Sequence, residues 1–212
     1  MILTFKSKTM RKICITTLTL ALLLVTCVVV GQKLKSGDVK VLKGQTTINL
    51  EYDYSNMAVG KFESADDYVA DRKADMNKKK PGSGDQWAES WTNDRSARFH
   101  PMFEKNLNGK ISDFGVTAKE GATDAKYTLI IHTTFVEPGF NVGVTRKNAY
   151  INIEVVLVET AAKDKPLAVI DLPKLQSVNM MGYDYDTGSR IQSCYDRAGD
   201  ELGKFLCKNA FK

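Results

Sequence analysis

Two histidines are the residues of this sequence best suited to proton transfer or metal binding. They are His100 and His132, and neither belongs to a His-x-x-x-His or Cys-x-x-Cys spacing, so the sequence predicts no zinc site. His132 lies in an alternating apolar run. If this run pairs with the next one apolar face to apolar face, His132 falls opposite Asn152 or Glu154. Such a pair is either a cross-strand polar contact or a catalytic acid and base, and the sequence favours the contact.

Two other motifs match known chemistry only in part. The triplet Asp113 to Gly115 reproduces the metal-binding Asp-Phe-Gly of protein kinases, but the catalytic-loop aspartate, the strand lysine and the glycine-rich loop are missing. The segment Asp184 to Gly188 resembles the opening of a calcium loop, but the closing carboxylate falls at Tyr195. We therefore expect a solvated turn there, and no metal or cofactor.

Two loops carry more apolar residues than a solvated loop requires. Exposed apolar patches often mark contact sites, where aromatic residues and methionine are favoured. The alternative is that both loops fold back over the core. The candidate binding residues are Phe140, Val142, Val144 and Arg146 in the first loop, and Met180, Met181, Tyr183 and Tyr185 in the second.

The elements that must position these loops centre on two alternating runs, Tyr127 to Val136 and Ala149 to Val158. Both runs are rich in β-branched and aromatic residues, so we expect neighbouring strands in the middle of a sheet. The last helix should run from Ser189 to Ala210, because its apolar residues recur at three and four positions. Its glycines Gly199 and Gly203 should let the backbone approach the sheet.

The remaining pattern predicts an α+β fold with a mostly antiparallel sheet of about four strands. The expected order is strand, helix, helix, strand, strand, strand, helix. A break is expected at His100, because Pro101 lacks a backbone donor. The other predicted elements are a strand from Val39 to Tyr54, a helix from Ser64 to about Asn77, a helix from Asp85 to Leu107, and a short strand from Leu167 to Asp171 after a turn at Lys163 to Pro166.

The amino-terminal segment has the pattern of a secretory signal peptide. Met10 and the basic residues Arg11 and Lys12 precede an uncharged, mostly apolar run from Ile13 to Val30, with small residues before Gln32. We predict a signal peptide over residues 1–31 and a single α+β domain over 32–212. The alternative is a retained membrane anchor. A lipoprotein signal around Cys27 fits less well, because Thr26 is not a small residue.

Removal of residues 1–31 would change the charge of the chain. The formal net charge of +5 falls to +1, since 26 basic and 25 acidic residues remain. The main sequence argument for a nucleic-acid partner, a strongly basic chain, is thereby lost.

Cys194 and Cys207 are the cysteines left. On one helix their sulfurs would be roughly 20 Å apart, too far for a disulfide, so we expect two buried thiols.

The strings Ala125 to His132, Glu137 to Gly143 and Ala149 to Val158 resemble uncharacterised exported proteins of Gram-negative bacteria. Their fold pattern is similar to small envelope domains such as the amino-terminal domain of the Tol system's periplasmic propeller protein. The resemblance covers about Asp124 to Lys174. It implies a sheet covered by helices and an envelope location, and it transfers no catalytic residue.

The sequence therefore favours an exported, non-enzymatic domain: periplasmic, associated with the outer membrane, or secreted. We expect it to bind an envelope protein or a membrane face through the two loops, and to bind no nucleic acid. One alternative is a hydrolase or other enzyme with a site near His132 and Glu154. Another is a carrier of a small ligand, with a cavity between helix and sheet.

Overall fold

The structure, a computed structural model, describes residues 32–178 and 185–212. The predicted signal peptide over residues 1–31 lies outside the described residues. Among the helices that are described, none combines the length and the apolar character needed to cross a membrane.

A mixed β-sheet of seven strands forms the centre of the described part of the chain. Its order is β1-β9-β8-β5-β2-β4, and β3 pairs with β5 outside this path. A separate two-stranded ribbon consists of β6 and β7. The strands are β1 (Lys33–Gly37), β2 (Thr47–Asp53), β3 (Ala58–Val59), β4 (Thr117–Glu120), β5 (Tyr127–Glu137), β6 (Phe140–Asn141), β7 (Arg146–Lys147), β8 (Tyr150–Glu159) and β9 (Ala162–Gln176).

The pairing of β5 with β8 confirms the two strands expected at the middle of the sheet. They are antiparallel neighbours, with Leu129 opposite Leu157 and Ile131 opposite Val155. These four side chains are fully buried on one face. His132 consequently lies opposite Glu154 on the other face, because successive side chains of a strand alternate.

The prediction of about four mostly antiparallel strands is wrong in strand number and in direction. Strand β2 pairs in parallel with both β4 and β5, and β3 pairs in parallel with β5. The helices between β2 and β4 return the chain to the end of the sheet at which β2 begins. Two parallel neighbouring strands require such a crossover. The short strands β1, β3 and β4 have too few residues for a recognisable alternation.

Strand β9 is also longer than predicted. The predicted strand covered Leu167 to Asp171, whereas β9 has 15 residues and includes the proposed turn at Lys163 to Pro166. Pro166 lies opposite Val158 of β8, where the register shifts, and β1 pairs with β9 only from Ala168 onward, so the proline stands at a bulge as expected. Register shifts against Leu157 to Glu159 of β8 accommodate this irregular start.

The helices begin where the sequence offers caps. Ser64 caps α1 by accepting a hydrogen bond from the Asp67 amide, with a distance of 3.1 Å. The second helical segment begins at Ser83, slightly before the predicted cap at Asp85. The helices are α1 (Ala65–Lys79), α2 (Ser83–Asp94), α3 (His100–Ile111) and α4 (Thr187–Asn209).

The interruption expected at His100 takes the form of a π-helical turn, Arg95–Phe99, between α2 and α3. The turn has right-handed helical backbone at both ends, so the chain continues into α3 with Pro101 in its first turn. A proline there removes a hydrogen-bond donor, and wider π-type bonding leaves room for that loss.

Helix α4 closes one face of the sheet. Its predicted stripe is buried as expected: Ile191, Tyr195, Ala198, Leu202 and Phe205. The close approach of its glycines was predicted toward the sheet, but it is made to α3. A Cβ on Gly199 would lie 2.3 Å from the Phe103 carbonyl oxygen, and one on Gly203 would lie 2.6 Å from Cβ of Lys110.

The two thiols of α4 differ in burial. Cys194 is buried, Cys207 is half-buried, and both are free. Burial raises the pKa of the Cys194 thiol to about 12. The Cys207 thiol donates to the Lys110 carbonyl, at 3.2 Å.

The glycine contact between α3 and α4 gives the first prediction. Gly199→Ala should destabilise the protein by about 1–3 kcal/mol, because a methyl group meets backbone that cannot withdraw easily. Urea denaturation at neutral pH measures the change.

The matched control is Gly109→Ala on the exposed side of α3, where a Cβ has open space. It should stabilise by about 0.5–1 kcal/mol, since alanine loses less entropy in a helix than glycine. Equal effects of the two variants would contradict the close packing of α3 on α4.

Candidate functional site

The hairpin of β6 and β7 projects from the end of β5. Gly139 and Gly143 have positive φ angles, of 62° and 85°, as the turn into and at the tip of the hairpin requires. Val142 and Val144 lie at the tip and are 68% and 99% exposed. A tight turn therefore holds two valine side chains in solvent.

Buried Arg190 joins this hairpin to the start of α4. Its Nε donates to the Pro138 carbonyl at 3.0 Å, and its Nη2 donates to the Gly139 carbonyl at 3.2 Å. Its Nη1 donates to the carbonyl of Tyr185 at 3.1 Å. One guanidinium thus brings together the two loops that the sequence analysis singled out.

A cleft of about 490 Å³ opens between these loops and α1. Its volume lies within the range of small-molecule sites, about 300–1,000 Å³. Aromatic and charged side chains line it together. The lining includes Lys61 and Phe62 after β3, Tyr68, Asp71 and Arg72 of α1, Phe140, Asn141 and Val142 of the hairpin, and Tyr185, Thr187 and Arg190 at the start of α4.

The candidate binding residues come together only in part. Phe140, Val142 and Tyr185 line the same cleft. Val144 and Arg146 lie on the same hairpin and outside the cleft lining. The remaining candidates lie outside the described residues: Met180, Met181 and Tyr183.

The charges around the cleft are partly compensated. Glu137 accepts a hydrogen bond from Nζ of Lys147 at 2.6 Å and one from the Gly139 amide at 3.1 Å. The bond to Glu137 raises the pKa of Lys147. Burial raises the pKa of the Tyr68 phenol, and nearby Arg72 opposes that shift only in part. Tyr68 therefore contributes a neutral hydroxyl to the cleft wall.

Asp186, expected in a solvated turn, caps α4 at the edge of the cleft. Its carboxylate accepts hydrogen bonds from the amides of Gly188 and Ser189, and Arg98 donates to it at 2.5 Å. Burial alone would raise the pKa of Asp186, but the hydrogen bonds from Arg98 and Ser189 hold it below its usual range. Arg98 also pairs with Asp94. The π-helical turn, which carries Arg98, thereby anchors the start of α4.

His132 is the histidine considered above for acid and base chemistry. In the structure, His132 and Glu154 each contact other partners. Nε2 of His132 lies 2.8 Å from the Ser55 carbonyl oxygen and 3.8 Å from the Asp53 carboxylate. Glu154 forms a 2.6 Å ion pair with Lys35, not with His132. The two residues are register neighbours, and neither lines the cleft.

The other histidine, His100, is the centre of a buried polar network that the sequence reasoning missed. Its ring stacks on Tyr52 at 3.6 Å, and its Nε2 lies 3.1 Å from the Tyr54 hydroxyl. Its Nδ1 lies 3.1 Å from the Glu120 carboxylate. Burial lowers the pKa of His100, and Glu120 opposes that shift only in part. His100 is therefore neutral near pH 7.

The network continues from Tyr54 into the core. Tyr195 hydrogen-bonds both the Tyr54 hydroxyl and Thr133, the latter at 2.6 Å. Burial raises the pKa of Tyr195 to about 12. These groups join β2, α3, β5 and α4, and none of them lines the cleft. Because these residues are far apart in the chain, only the tertiary structure brings them together. The one sequence signal for the network was a histidine placed directly before Pro101.

Comparisons with known proteins return distant similarity only. No family model matches the chain, and no curated protein is similar in sequence. Two structures of a PelC dodecamer from Paraburkholderia phytofirmans, one of them a variant, share 10% and 11% identity with it. Each alignment covers 85% of this chain and 98% of PelC, with TM-scores of 0.39 and 0.38. A likeness this distant transfers no role to this chain.

Neutral His100 makes stability depend on pH. Because the folded pKa lies below the unfolded value of about 6.5, the unfolded chain binds the proton first. The free energy of unfolding should thus be fully retained above about pH 6.5 and decrease as pH falls below it, by at most about 1.4 kcal/mol per pH unit. Denaturant unfolding between pH 7.5 and 5 measures it.

His100→Gln should remove this dependence, whereas the matched variant His132→Gln, which keeps His100, should retain it. A pH slope that persists in His100→Gln and disappears in His132→Gln would contradict the assignment.

Proposed function

We propose that this chain is an exported, non-enzymatic domain of the bacterial cell envelope that binds another protein through the β6–β7 hairpin and the cleft beside it. The observation that carries the proposal is the exposure of Val142 and Val144 at the hairpin tip, next to a cleft with aromatic walls. Phe140 and Tyr185 extend this apolar surface, at 43% and 64% exposure. We call these four residues the tip surface.

The tip surface offers binding energy that the isolated domain does not use. Burying a valine side chain stabilises by about 1.5 kcal/mol or more. Val142 and Val144 together could thus contribute roughly 3 kcal/mol to a complex. Aromatic residues at the centre and polar groups at the rim are typical of protein contact sites. The cleft supplies such a rim through Asp71 and Arg72.

The support beneath the tip surface favours binding without rearrangement. Arg190 holds the base of the hairpin through two carbonyls, and Asp186 with Arg98 holds the start of α4. A surface that is ordered before binding loses less entropy on association. The hairpin and Tyr185 are therefore presented in a defined arrangement.

Charge favours a protein partner over a membrane face. Attraction to anionic lipid typically requires a cluster of about four to eight basic residues. On the hairpin, Lys147 is paired with Glu137, which compensates its charge. Arg146 is exposed, and together with Lys61 and Arg72 at the cleft it makes three basic residues, fewer than such a cluster.

Export is supported by the sequence. The basic residues Arg11 and Lys12, followed by an uncharged apolar run to residue 30, are typical of a secretory signal, and the rest of the chain is nearly neutral. An envelope protein is accordingly the proposed partner class.

The double variant Phe140→Ser with Val142→Ser tests the proposal. Both side chains are exposed, so the fold should remain intact while the apolar contact is lost. In a crosslinked pull-down from the cell envelope, the variant should lose the partner that the wild-type protein recovers. Thermal unfolding verifies the fold.

The matched control is Val41→Ser, an exposed valine beside the other end of α4, where Lys43 contacts Lys212. It should recover the partner normally. Unchanged recovery by the double variant would refute binding through the tip surface.

The volume of the cleft favours a second candidate, a small ligand held between Phe62, Tyr68 and Phe140. Val144→Ser separates the two candidates, because Val144 belongs to the tip surface and does not line the cleft. A protein partner should be bound more weakly by this variant. A small ligand retained from the cell, detected by native mass spectrometry, should be bound equally well.

A further inference from the structure

The sheet has a second face whose side chains lie in straight rows across five strands. Helices α3 and α4 pack on the first face, through the contacts of Tyr52 with His100 and of Thr133 with Tyr195. On the second face, which we call the open face, no described helix makes a hydrogen bond or ring contact with the row residues. Ile130, Val156 and Val169 there are only half-buried.

A charged row crosses the open face from edge to edge. The register places Lys33 beside Asp171, Asp171 beside Glu154, Glu154 beside His132, and His132 beside Asp53. Lys35, next to this row, forms an ion pair with Glu154 at 2.6 Å. The row is thus basic at β1, neutralised at β8, and acidic at β2.

An aliphatic row runs parallel to the charged one. Ile130 lies opposite Val156, and Val156 lies opposite Val169, so three aliphatic side chains span β5, β8 and β9. Strand β8 is the middle strand of the five that carry the charged row. Both rows are therefore centred on β8, at Glu154 and at Val156.

This arrangement is complementary to itself. A two-fold axis along β8 would set two open faces together, with each strand opposite its counterpart on the other side of β8. Lys33 would then face Asp53 of a second copy, and Asp171 would face His132. Val156 would face Val156, flanked by Ile130 against Val169. At the axis, Glu154 is already neutralised by Lys35.

The contact would be a small one. Strands β5 and β8 have 11 and 10 residues, but β1 and β2 have 5 and 7, and Asn49, Thr128 and Val158 at one end of this face are already buried within the chain. The part of the open face that carries the two rows is therefore smaller than a standard interface of about 800 Å² per copy, and the complementary charges must supply much of its specificity. Packing at about 30° moves the outer row positions by about 5 Å, within reach of a lysine side chain.

We propose that the open face binds a second copy of this chain, forming a two-fold symmetric dimer in which the sheets pack face to face about β8. The complementary charges set the orientation, and the aliphatic row supplies the apolar contact. This interface is separate from the tip surface, so either proposal can fail without the other.

The first test places a charge on the axis. Val156→Lys sets two lysines against each other at the centre of the dimer and should weaken self-association at least about 100-fold. Sedimentation equilibrium of the protein, purified in the form recovered from the cell, measures the dissociation constant. The matched control Val41→Lys, at an exposed valine that belongs to neither row nor to the tip surface, should leave it unchanged.

A wild-type protein that stays monomeric up to about 100 µM would overturn the proposal. So would a dimer that Val156→Lys leaves intact while thermal unfolding shows the variant to be folded.

The second test exchanges the charges that the orientation brings together. Lys33→Glu and Asp53→Lys should each weaken the dimer by about tenfold, since each apposes like charges twice. The double variant restores both pairs and should return to within about threefold of the wild-type dissociation constant.

Losses that simply add in the double variant would overturn the proposed orientation. Lys33 is exposed, so Lys33→Glu alone still reports if Asp53→Lys, which removes the cap on Ser55, unfolds the chain.

Discussion

The register between β5 and β8 is the constraint on which the rest of the structure depends. With Ile131 opposite Val155, the fully buried side chains of Leu129, Ile131, Val155 and Leu157 face the helices, and His132 and Glu154 face away. A slip by one residue would bury the charged row and expose the core. The loss of apolar burial excludes that alternative, because each fully buried aliphatic side chain stabilises by about 1.5–3 kcal/mol.

The same register has consequences at the end of the sheet. A bulge between Thr133 and Phe135 shifts the pairing, so that Phe135 stacks on Tyr150 and β5 leads into the hairpin. Arg190 then binds the carbonyls at the base of that hairpin, and Asp186 caps the helix that carries Arg190. The cleft exists because a buried arginine, a capping carboxylate and a strand bulge meet at one corner of the fold.

Much of the fold was visible as periodicity. The central strands, the Ser64 cap and the α4 stripe each rest on residues within about fifteen positions of one another, and all three are confirmed. Matching two apolar faces predicted His132 opposite Asn152 or Glu154, and the register selects Glu154. The errors lie elsewhere: the short strands β1 and β3, the parallel pairing of β2, and Pro166 inside β9. In each case a distant segment of the chain decides the outcome.

The candidate site shows the same difference between local patterns and contacts of distant segments. By itself, the sequence determined that the loop from Phe140 to Val144 is more apolar than a solvated loop needs to be, because composition is a local property. Only the tertiary structure decided that Tyr185 lies beside this loop and that Arg190 is buried beneath it. The physical reason is that a guanidinium is stable in a protein interior only when carbonyls or other acceptors surround it. Such acceptors come from segments about 50 residues away in the chain, which no local pattern can specify.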